Sequence, residues 1–128
     1  MWKYVLFVIG LYWCLLGVAM WFAPMLWFEI TPGVSATGGY NVHFIRDIAL
    51  VFLVAGFGTI YSATTPLRHM ALVAVAWPSL HALFHIWIWF HRGTPADLTA
   101  LSNLIGIQLP ALLALIAVFR HTKPEEVR

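Results

Sequence analysis

The stretch NVHFIRDIALVFLVAGFGTIYS, residues 41–62, decides how this chain is read. From Ile48 onward it is an uninterrupted apolar run, yet His43, Arg46 and Asp47 stand at its mouth. Accepting that charged start as part of the helix makes residues 42–62 a span of about the ~20 residues that a bilayer crossing needs. Asn41, a favoured N-cap, or Tyr40 then marks where the helix begins.

The rest of the chain supports that choice. Of its 128 residues, 62% are hydrophobic and 9% charged, and the mean hydropathy is +0.85. Soluble domains average about 25% charged residues. A water-soluble core of this length cannot absorb so much apolar surface, so the expected solvent, and the first partner, is the lipid bilayer. The formal net charge of +2 and seven scattered Lys/Arg give no basic groove, which argues against a nucleic-acid partner. Cys14 is the single cysteine, so the chain has neither an internal disulfide nor a CxxC motif.

Three further apolar stretches, at about 2–22, 70–90 and 100–119, accompany the one at 42–62. Short connections between them predict an all-α fold: one transmembrane domain over 1–128, built as a four-helix up-down bundle. The long first span, with no A-x-A site after it, reads as a retained helix rather than a signal peptide. The loop 23–41 is divided. Met25, Leu26, Trp27 and Phe28 suit the headgroup region, whereas PGVSATGG is rich in turn formers. Lys3, Arg68, Arg120, Lys123 and Arg128 fall on one side of the spans, and only Arg46 and Arg92 on the other. By the positive-inside bias both termini are cytoplasmic. A bacterial inner membrane is the expected location.

A second polar stretch, WPSLHALFHIWIWFH at 77–91, places His81 and His85 one turn apart on one helical face. His43 and Asp47 have the same i, i+4 spacing. The two helices run in opposite directions, and a rise of about 1.5 Å per residue puts both pairs in the outer half of the bilayer. Asn103 on the fourth span falls in that layer too. Strongly polar groups inside a span cost about 2.5–3.5 kcal/mol, so they are expected to face inward and pair. Imidazole and carboxylate are ligands for zinc, copper and iron. His43, Asp47, His81 and His85 are therefore the expected ligands of one ion, with Arg46, Asn103 and His91 around it. Alternatively, one histidine from each helix ligates haem. A third reading is a metal-free network that fixes helix packing or binds a small polar ligand. The chain would then be a non-enzymatic subunit of a homo-oligomer or larger membrane complex. Pro78 is expected to free a carbonyl near the site, and Gln108 with Pro110 to mark an interruption of the fourth helix. Cys14 reads as inert packing, and His69 and His121 as headgroup neighbours. No residue pattern names a reaction; if there is one, it is redox or metal-assisted chemistry.

PGVSATGGYNVHFIRDIAL followed by LHALFH resembles a family of small bacterial membrane proteins that carry a PGV–TG–N–HFIRD-type segment entering the second of four helices and a histidine-containing third helix. The resemblance covers most of the chain and is most specific from Pro32 to Asp47. This chain has Gly38-Gly39-Tyr40-Asn41 where the family pattern has Gly-Pro-Phe-Asn. In general shape it is also similar to DoxX-like four-helix proteins, without a shared residue motif. The resemblance implies architecture and supplies no chemistry.

Overall fold

The computed structural model describes residues 1–123. Arg128, Glu125 and Glu126, which entered the charge reading, lie outside the described residues. Among the described residues, four helices are long and apolar enough to cross a membrane: α1 (Trp2–Phe22), α3 (Val42–Thr64), α4 (Arg68–His91) and α5 (Leu98–His121). A short helix, α2 (Pro24–Ile30), follows α1 directly. No strand is present among the described residues, only an isolated bridge between Leu67 and Lys123.

Local chemistry sets the boundaries. The Asn41 side chain accepts a hydrogen bond from the Phe44 amide at 3.1 Å, so the charged segment does belong to α3. Asp97 caps α5 in the same way through Ala100, at 2.8 Å. Pro24 opens α2, at the position where its missing N–H costs nothing. The third and fourth helices are each two residues longer at the start than their apolar runs. The third begins at Arg68 and the fourth at Leu98.

The long helices form a ring in the order α1–α3–α4–α5, each antiparallel to its neighbours. The tightest pair is α1 with α3. A β-carbon added at Gly10 would lie 2.8 Å from the Gly56 carbonyl, and one at Gly17 would lie 2.8 Å from the Ala49 carbonyl. Small residues seven apart on each helix thus let two backbones touch, the usual way helices pack where no hydrophobic drive separates lipid from protein. Around this seam Leu6, Trp13, Met20, Ala49, Phe52, Val75 and Val118 form the core. Cys14 is buried there, as packing.

The bundle has two ends. The terminal end carries Trp2, the 65–67 connection and the end of α5. The loop end carries residues 23–41 and 92–97. At the loop end the long connection folds back over the helices: Phe28 meets Tyr40 edge-on at 5.5 Å, and Gly33 sits against Thr99. Gly33 has φ of 85°, a left-handed conformation that favours glycine, and an added β-carbon would strike the Thr99 methyl.

Candidate functional site

His81 and His85 lie on α4 as the sequence predicts, half-buried with Trp77 one turn before them. The His81 ring stacks on Trp77, with centroids 4.7 Å apart and planes 11° apart. On its other side it meets His85 at 4.6 Å, nearly perpendicular. Phe52 of α3 closes the slot, edge-on to both Trp77 (5.1 Å) and His81 (6.3 Å), and Phe84 flanks His85. Within this apolar frame the Nδ1 of His85 is buried and has no hydrogen-bond partner.

The second pair does not join them. His43 Nε2 and Asp47 Oδ2 approach each other at 3.4 Å, but their side chains are 88% and 56% exposed. Phe52 is level with His81, Asp47 and His85 each lie about one turn further toward the loop end, and His43 about one turn beyond them. Rotation about the helix axis is what differs. The face of α3 turned inward is Ile45, Ala49, Phe52, Gly56, Thr59 and Ala63. His43 and Asp47 stand two residues from Ile45, about 200° round the helix, and point away from the bundle. Among the described residues no group of three or more His, Cys, Asp or Glu is placed to hold a metal ion. A haem held by one histidine from each of these helices likewise lacks its α3 partner within the chain.

The remaining predicted site residues have other roles. The Nε of Arg46 donates to the Trp21 carbonyl at 3.4 Å and its guanidinium lies over the Trp21 ring. It closes the C-terminal end of α1, where carbonyls lack intrahelical donors. His91 is exposed and bonded within its own helix, Nδ1 to the Trp87 carbonyl at 2.9 Å. Asn103 is half-buried on α5, just before a change of helix type. The Nε2 of His121 lies 3.1 Å from the Ala63 carbonyl. Beside it, Arg68 donates to the carbonyls of Phe119 and Thr122, closing the end of α5 as Arg46 closes α1.

One feature is legible in the sequence only in part. The interruption at Gln108 and Pro110 is a π-helical turn, Leu104–Gln108. Pro110 has no N–H to offer the Gly106 carbonyl four residues earlier, and the Tyr12 hydroxyl of α1 donates to it instead, at 2.8 Å. Proline signalled the free carbonyl; nothing signalled that Tyr12 would reach it.

Comparison with known proteins returned no match, whether to family models, to curated proteins or to solved structures.

Proposed function

We propose that this chain is a four-span protein of a bacterial inner membrane that binds a transition-metal ion or haem through His81 and His85. The observation that carries the reading is the buried, unpartnered Nδ1 of His85 beside the His81 ring. Buried polar atoms are nearly always hydrogen-bonded, and more strictly so where no water is at hand. Neutral imidazole is the commonest protein metal ligand, and two of them one turn apart supply neighbouring coordination positions. The other positions are filled from outside the chain, by water, a porphyrin or a second polypeptide. If a reaction takes place there, it is a redox or metal-assisted step, with both histidines as ligands.

The membrane reading is supported by large apolar side chains exposed on all four long helices, such as Val8, Val54, Val73 and Ile105. Lys3, Arg120 and Lys123 at the terminal end favour cytoplasmic termini.

The test is metal analysis and a visible spectrum of protein purified in mild detergent. Stoichiometric zinc, copper or iron, or a Soret band, is expected; it should be lost in His85→Ala and kept in His43→Ala. Protein that carries neither, and takes up neither on titration, overturns the proposal.

A second reading is favoured by a different observation. Tyr12, Arg68 and His121 all bond to backbone carbonyls of other helices. That pattern suits a non-enzymatic membrane subunit whose polar groups fix helix packing within a larger complex. It predicts that His85→Ala costs only the ring packing against His81 and Phe84 and leaves assembly intact, with no metal or haem to lose.

A further inference from the structure

The proposed site has two donors of its own, His81 and His85, and an imidazole ligates as the neutral base. No anionic donor joins them. Asp47 points away from the bundle, and among the described residues no third His, Cys, Asp or Glu completes a group. Cys14 belongs to the α1–α3 seam, where a β-carbon added to Gly56 would lie 2.6 Å from its Sγ. A divalent ion held by neutral ligands alone would keep its double charge in an apolar interior, where even a single charge is costly. Zinc would also lack half of its usual tetrahedral set. A cuprous ion carries a single charge and accepts low coordination numbers.

A donor that favours this ion is level with the histidines. Of the four methionines, Met20 alone is buried, 1% exposed and part of the core. Gly17 packs against Ala49 and Leu53, and Phe52 meets His81, which fixes the register of α1, α3 and α4. Counted at about 1.5 Å per residue from those contacts, Met20 falls within about one turn of His85 in depth. His85 shares the face of Pro78 and Ala82, the buried face of α4. Met20 and His85 thus meet the interior at one level from helices that are opposite in the ring. The methionine side chain is flexible enough to turn its sulfur toward an ion, and thioether sulfur selects Cu(I) over harder divalent ions. A porphyrin fits less well, because Trp77, Phe52 and His85 already occupy the surroundings of His81, where a macrocycle needs a flat slot.

We infer that the ion is cuprous copper, held by His81 and His85 with the Met20 thioether as a third, soft donor. Met20 then takes one of the positions left above to donors from outside the chain. This assignment rests on the His81 and His85 reading and narrows it.

The experiment uses the Cys14→Ala chain purified in mild detergent, so that Met20 is its only buried sulfur. Cu(I) is titrated anaerobically in competition with a chromophoric Cu(I) chelator, beside titrations with Ag(I), Zn(II) and haem. One Cu(I) per chain is expected, with Ag(I) competing for it and equimolar Zn(II) failing to displace it. His81→Ala and His85→Ala should abolish binding, His43→Ala should leave it unchanged, and Met20→Leu should weaken it several-fold. X-ray absorption at the copper edge should show nitrogen and sulfur neighbours, with the sulfur lost in Met20→Leu. The sulfur neighbour in the parent chain decides the matter even if Met20→Leu fails to fold. Copper without a sulfur neighbour overturns the role of Met20. Zn(II) or haem bound in preference to Cu(I), and lost in His85→Ala, overturns the copper assignment and leaves the two-histidine site standing. A chain that takes up none of them, or that keeps Cu(I) in both histidine variants, overturns both.

Discussion

His85 and His43 are the same side chain near the same end of the bundle, and the fold gives them opposite surroundings. One has a ring nitrogen sealed among aromatic rings; the other is almost fully exposed beside a carboxylate. Position in the sequence placed both near one depth, but the few degrees of freedom that matter to chemistry lie in the direction each side chain takes. Asp97 makes the same point with a measurable consequence. Its carboxylate accepts from the Ala100 amide and pairs with Arg92, and these bonds hold its pKa below the ordinary carboxylate value. A depressed folded-state pKa means that the charged form stabilises the α5 cap at neutral pH. That contribution is complete above the unfolded carboxylate pKa and is lost as pH falls through the lowered folded value. The wild-type chain should therefore melt higher than Asp97→Asn at pH 7 in detergent, with the gap closing on acidification. A gap that does not change with pH would show that charge at this cap is irrelevant.

At the scale of elements, helices are joined less by side-chain pairs than by side chains reaching backbone. Arg46 at the start of α3 closes the end of α1, and Arg68 at the start of α4 closes the end of α5. The Tyr12 bond to Gly106 belongs to this set, with the difference that proline created the acceptor. Hydrogen bonds between membrane helices are worth about 0.6 kcal/mol on average, so Tyr12→Phe should lower stability by about that amount. In a Pro110→Ala background the new N–H competes for the Gly106 carbonyl, and the same substitution should cost less. A double-mutant cycle measured by unfolding in mixed micelles decides it; a coupling of zero would mean that the hydroxyl contributes nothing through this carbonyl.

For the molecule as a whole, the distribution of cations makes one prediction about placement. Gly39, in open space at the loop end, and Thr65, at the terminal end, can each be replaced by cysteine in the Cys14→Ala chain. An impermeant maleimide should label Gly39→Cys in intact spheroplasts and reach Thr65→Cys only after the membrane is opened. The reverse pattern would invert the orientation and put the loop end in the cytoplasm. The sequence by itself determined the number of long helices, their approximate limits and the Asn41 cap, because length, apolarity and capping are properties of local residues. It also determined the relative depth of His81, His85, His43 and Asp47, because the rise of a helix per residue is fixed. Only the tertiary structure decided which face of each helix turns inward. In a bundle with polar outer faces the apolar stripe would have announced that face, but here the outer faces are as apolar as the core and the stripe carries no such signal. Ile45, Ala49, Phe52 and Gly56 became the inner face of α3 because small residues let it meet Gly10 and Gly17 of α1. That contact sent His43 and Asp47 to the outside.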